Sequence, residues 1–153
     1  MNNSNGKLLE KLACVLVFLM AALQGAYAIF SYVDPAGFSL VRGTELFSLA
    51  DSDWVQIYAS RTLFVALIIG YLLYLKNYQV LAWAALFGTV MPITDAYLAY
   101  EAQAENKVVI KHIATVTYLA VTFVVLNLVV KSKSKSKRDQ ANPVQDSSVN
   151  SSI

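Results

Sequence analysis

Four stretches of this chain are apolar for long enough to cross a bilayer, and polar or helix-breaking residues separate them. The first runs from Leu12 to Val33, behind a polar start that carries Lys7 and Lys11. About 20 apolar residues suffice for a helix to cross the hydrocarbon, so its length predicts a span. Ala26-Tyr27-Ala28 also fits the small-x-small pattern of a signal-peptide cleavage site. The apolar run continues through Ile29, Phe30 and Val33 beyond that point, however, and exceeds the roughly 7 to 15 residues of a signal-peptide core, which favours a retained helix. Asp34-Pro35-Ala36-Gly37 then ends it, because proline disfavours helical geometry in the residue before it.

The connection that follows reaches Asp53 and contains Phe38, Leu40, Val41, Leu46, Phe47 and Leu49. That much apolar surface predicts a segment lying on the membrane rather than a solvated loop. The second span begins near Trp54, where Asp53 and Gln56 have capping-box spacing, and ends near Leu75. Lys76-Asn77-Tyr78-Gln79 joins it to a third span from about Val80 to Tyr100, which Pro92 should kink. A polar connection from Glu101 to Lys107 leads into the fourth span, Val108 to Val130. The predicted architecture is all-α: an integral-membrane four-helix bundle with short connections and spans of about 12–33, 54–75, 80–100 and 108–130. Residues 1–11 form a polar N-terminal segment, and 131–153 a basic then polar tail expected to be disordered.

Composition agrees, with 57% hydrophobic and 14% charged side chains, the charges gathered at the ends and connections. Their placement also predicts an orientation. Lys7, Lys11, Lys76, Lys131, Lys133, Lys135, Lys137 and Arg138 lie on one side. Arg42, Lys107 and Lys111 lie on the other, among Asp34, Glu45, Asp51, Asp53, Glu101 and Glu105. The positive-inside rule therefore predicts that both termini are cytoplasmic. The Lys131–Arg138 run is expected to meet anionic lipid headgroups. One cysteine, Cys14, allows no internal disulfide, and one histidine allows no paired-histidine zinc or haem site, so no metal and no cofactor is predicted. Glycine-rich phosphate loops, Cys-x-x-Cys pairs and nucleic-acid-binding signatures are missing from the sequence, and no nucleic-acid partner is expected. Ala21-x-x-x-Gly25 and Ala22-x-x-x-Ala26 offer close helix contact, within the bundle or in a homo-oligomer.

Three charged or titratable polar side chains stand out inside or at the edge of the spans: Arg61, Asp95 and His112. At about 1.5 Å per residue, they lie roughly 10, 7 and 6 Å inward from Trp54, Tyr100 and Val108. In an antiparallel bundle they share one layer near the extracytoplasmic helix ends. An arginine or aspartate in hydrocarbon costs about 2.5–3.5 kcal/mol even on insertion scales, so pairing of Arg61 with Asp95 is expected, with His112 beside them. Tyr58 precedes Arg61 by one turn, Thr115 follows His112 by one turn, and Gln24 and Tyr27 lie on a polar stripe of the first helix. The layer supports two readings, a buried ion pair that sets helix register and a site.

Tyr58-Ala59-Ser60-Arg61, Val90-Met91-Pro92-Ile93-Thr94-Asp95-Ala96 and Lys111-His112-Ile113-Ala114, with Asp34-Pro35-Ala36-Gly37-Phe38 before them, occur in an order that resembles the domain of unknown function 4267 family. The family often has a glycine before the arginine and an acidic residue after it, where this chain has Ser60 and Thr62. A looser likeness is to DoxX-like four-helix membrane proteins. The resemblance implies a small bacterial inner-membrane protein and no particular activity. Three functions are carried forward. The first is an uncharacterised multi-pass protein that binds a small polar or lipid ligand at the Arg61/Asp95/His112 layer. The second is an intramembrane enzyme with a His112/Asp95 dyad, for which the sequence shows no identifiable nucleophile. The third is a small proton-coupled transporter.

Overall fold

The computed structural model describes residues 3–43, 46 and 48–141, and every regular element among them is helical. Helix α1 spans Asn3–Val33, α2 Pro35–Arg42, α3 Ser52–Tyr74, α4 Tyr78–Gly88, α5 Val90–Glu101 and α6 Asn106–Ala141, with a single 3-10 turn at Leu49–Asp51 before α3. Four units are long and apolar enough to cross a membrane: α1, α3, α4 with α5, and α6. The protein is a multi-pass membrane protein with a four-helix bundle.

Helix α1 packs along α3 and α6, while α4 and α5 both pack on α6. Gly25 of α1 approaches Ala66 of α3 so closely that a Cβ on the glycine would lie 4.0 Å from the alanine's, so the small-residue stripe of α1 is used inside the chain. The apolar core fills the half of the bundle away from α2, around Val17, Leu81, Leu126 and Val129. Tyr118 of α6 donates to the Leu16 carbonyl of α1 and fixes those two helices near the middle of the bundle.

Pro92 does interrupt the third span, but the break lies one turn earlier than the proline, at Thr89 between α4 and α5. The cause is steric: a proline ring clashes with the carbonyl four residues before it, here that of Gly88, and removes the N–H that would bond to it. At the break the Thr89 hydroxyl donates to the Leu86 carbonyl at 2.7 Å.

One expectation needs correction: the basic run is helical as far as Ala141 rather than disordered from 131, and α1 likewise reaches back through the polar N-terminal segment to Asn3. Residues 142–153 of the predicted tail lie outside the described residues. Lysine and arginine are good helix formers, so a helix already propagating from the membrane continues through them. Tertiary contacts then hold the two extensions together. Glu10 of α1 accepts from Lys133 of α6 at 2.8 Å and from the Tyr78 hydroxyl of α4 at 2.8 Å. The Lys133 ammonium also lies 4.7 Å from the Tyr78 ring centroid, and Cys14 Sγ is 3.5 Å from the Tyr78 hydroxyl. Because the Tyr78 hydroxyl joins α4 to α1, Tyr78→Phe is expected to lower stability by about 1 kcal/mol in thermal unfolding followed by circular dichroism. An unchanged melting curve would show that the hydroxyl contributes nothing.

Candidate functional site

The site begins with a helix of eight residues. Asp34 is its N-cap, accepting from Gly37 N–H at 2.9 Å, and Pro35 occupies the first helical position, where its missing N–H costs nothing. Gly43 ends it in the left-handed conformation at φ 88°. Between those limits α2 buries Phe38 and Ser39 against the bundle and exposes Leu40 and Val41. The first part of the apolar connection is thus a short amphipathic helix at one end of the four spans, while residues 44, 45 and Phe47 of that connection lie outside the described residues. Phe38 packs among Tyr27, Phe30 and Tyr58, with ring centroids 5.3–5.9 Å away.

The last turn of α2 carries Arg42 to Asp95 of α5. Guanidinium Nη2 and carboxylate Oδ1 are in direct contact, and the two side chains are 14% and 17% exposed. Nη1 donates to the Tyr58 hydroxyl at 3.0 Å, and the guanidinium lies over the rings of Tyr58 and Phe38, 5.0 and 5.7 Å from their centroids. Planar arginine suits this position, with one edge on a carboxylate and its faces near aromatics.

Two side chains of α6 hold the same helix from the other side. Lys111 Nζ donates to the Val41 carbonyl, and His112 Nε2 lies 3.4 Å from the Arg42 carbonyl. Both carbonyls belong to the last turn of α2, where no intrahelical donors remain and the helix dipole favours positive partners. His112 is 4% exposed. Its Nδ1 is 3.9 Å from Asp95 Oδ2, too far for a hydrogen bond. The predicted His112/Asp95 dyad is therefore not assembled in this geometry: the imidazole supports the end of α2, and the carboxylate faces an arginine.

The arginine is not the one expected. Arg61 forms no ion pair among the described residues, and its side chain is exposed. Depth along a helix does not determine direction around it. Helix α3 turns Val55, Ala59, Thr62 and Ile69 into the protein, which leaves Arg61 on its flank. Arg42, counted with the outer connection, takes the place beside Asp95. Of the other residues considered, Tyr58 is in the cluster, Tyr27 packs on Phe38, and Gln24 lies deeper along an apolar slot. Thr115 donates to the Lys111 carbonyl of its own helix at 3.0 Å.

Beside the Arg42–Asp95 pair is a cavity of about 280 Å³, lined by Phe38, Ser39, Arg42, Trp54, Val55, Tyr58, Asp95 and Leu98. His112 is not in its wall. No group of histidine, cysteine, aspartate and glutamate able to hold a metal ion occurs among the described residues.

The model of the family described as a domain of unknown function (DUF4267) matches residues 13–126, from the start of the first span to near the end of the fourth. The chain belongs to the DUF4267 family. The DUF4267 match includes part or all of each of the four spans, together with α2, Arg42, Asp95 and His112. No curated protein and no solved structure matches the chain.

Proposed function

We propose that this DUF4267 protein binds a small polar ligand or a lipid head in the cleft beneath α2. The cavity beside the Arg42–Asp95 pair carries the proposal, since a pair serving only to set helix register has no need of open space next to it. The wall is suited to an amphiphile. Arg42 has guanidinium N–H groups beyond those facing Asp95 and Tyr58, and Asp95 Oδ2 has an accepting lone pair toward which His112 reaches only to 3.9 Å. Phe38, Trp54 and Leu98 supply the apolar side. A few convergent polar groups in an otherwise apolar concavity are the usual composition of a small-molecule site.

By the distribution of lysine and arginine, the α2 end lies on the extracytoplasmic face of the membrane and both termini lie in the cytoplasm. The helical extension carrying Lys131, Lys135 and Arg138 then stands where anionic headgroups of the cytoplasmic leaflet would meet it.

Leu98 is half-exposed and lies outside the ion pair, so Leu98→Trp fills the cleft while leaving its charged groups in place. Native mass spectrometry of protein extracted in mild detergent should show a noncovalent adduct on the wild type that Leu98→Trp has largely lost. Equal adduct occupancy on the two proteins, or none on the wild type, would count against the cleft as a binding site.

A further inference from the structure

The cleft beneath α2 opens onto a longer feature. Helices α3 and α4 are joined by a tight turn and touch near it, but α3 makes no substantial contact with α5. The break at Thr89 separates the part of the third span that follows α3 from the part that leaves it. Past the break, the two helices border an open seam. At the α2 end lies the polar cleft, between Trp54, Val55 and Tyr58 of α3 and Asp95 and Leu98 of α5. Deeper, across the break, is an apolar slot of about 210 Å³ between Val65 and Ile68 of α3 and Ala84 and Gly88 of α4, with Met91 of α5 and Met20 and Gln24 of α1 also in its wall.

Arg61 lines neither space, but its position along α3 falls between the residues that do. On α3 the positions 54, 58, 61, 65 and 68 repeat at spacings of four and three, one continuous stripe of a helix. Its upper members line the polar cleft and its lower members the apolar slot, so Arg61 in the middle borders the seam where the two meet. It is exposed and without an ion-pair partner among the described residues. Arg42 and Asp95 neutralise one another, which leaves Arg61 uncompensated beside this gap among the described residues. A guanidinium on a lipid-facing flank reaches along its apolar stem toward the nearest phosphate.

We infer that the α3–α5 seam binds one anionic phospholipid of the surrounding bilayer, with an acyl chain in the apolar slot, the phosphate on Arg61 and the rest of the head in the cleft beneath α2. This rests on the ligand-binding reading of that cleft and names the ligand class. The order of groups along the seam is that of such a lipid read from its head inward: polar cleft, single cation, apolar slot. An anionic head satisfies Arg61 in a way that a zwitterionic head, carrying its own cation, does not.

The test is lipid titration monitored by native mass spectrometry, using phosphatidylglycerol and phosphatidylcholine of identical chains, with glycerol phosphate as the chainless control. Wild type should prefer phosphatidylglycerol by roughly tenfold or more, the scale of one charge-assisted contact. Arg61→Gln should abolish that preference and Arg61→Lys retain most of it. Ala84→Phe, which narrows the apolar slot from its α4 wall, should weaken both lipids equally, and glycerol phosphate should not saturate. A preference that survives Arg61→Gln, or lipid binding indifferent to Ala84→Phe, overturns the inference. If those two variants behave like wild type while Leu98→Trp still sheds the co-purified adduct, the cleft remains a site and only its extension along the seam falls.

Discussion

Asp95→Leu is expected to destabilise the protein by about 3–5 kcal/mol, and adding Arg42→Leu to recover most of that loss. The single change leaves a guanidinium largely enclosed by Phe38, Tyr58 and α2, with nothing to balance its charge. Removing both partners replaces a paired charge with apolar side chains in an apolar region, which in other proteins is close to neutral. The measurement is a double-mutant cycle in detergent, with unfolding followed by helical circular dichroism. Arg61→Leu/Asp95→Leu serves as the contrast: its losses should add to within about 0.5 kcal/mol, since the two side chains share no contact. Strong coupling of Asp95 to Arg61 and none to Arg42 would contradict the ion-pair geometry.

Gly43→Ala should cost about 2–4 kcal/mol, combining a left-handed residue that has gained a Cβ with overpacking of a close contact. Gly43 sits at φ 88°, and an added Cβ would lie 2.9 Å from Val108 Cγ1, 3.1 Å from Ala104 Cβ and 3.2 Å from Ala99 Cβ. No flexible side-chain end is available to move aside. The strain falls where α2 meets the α5–α6 turn, so α2 should undock before the spans separate. Trypsin reports this directly, because Arg42 is a cleavage site that the docked helix withholds. Cleavage after Arg42 should quicken sharply in Gly43→Ala. Gly70→Ala is the control, since a Cβ at that helical position meets nothing within 4 Å. It should stabilise by about 0.5–1 kcal/mol through helix propensity. Equal proteolysis of Gly43→Ala and wild type would mean that α2 is held by something other than this junction.

The four spans were legible because apolar length decides the matter almost alone, and the polar breaks at Asp34-Pro35 and Lys76-Asn77 are sharp. Counting residues inward also put Asp95 and His112 at one level, and their side chains do approach to 3.9 Å. The same count failed for the arginine, because it carries no information about rotation around a helix. The signals for Arg42 are in the sequence all the same: Asp34 and Pro35, which end the first span, are with Gly43 also the start and stop signals of a helix that ends at Arg42. The Glu10, Tyr78 and Lys133 cluster was beyond reach for a comparable reason. Two of its members lie in segments whose composition reads as solvated ends, and only their packing as adjacent helices brings them together.

The contacts of α2 also have a place in time. Tyr27, Phe30 and Tyr58 are near it in sequence, but the ion-pair partner and the donors to its last carbonyls come 53 to 70 positions later: Asp95 of α5, then Lys111 and His112 at the start of α6. During synthesis Arg42 emerges with no acidic partner made, and the last carbonyls of its helix have no donors until the final span begins. Contacts this distant in sequence form slowly and late. A chain interrupted before α6 would hold every residue of the cleft wall yet lack the Lys111 and His112 side chains that tie down the end of α2.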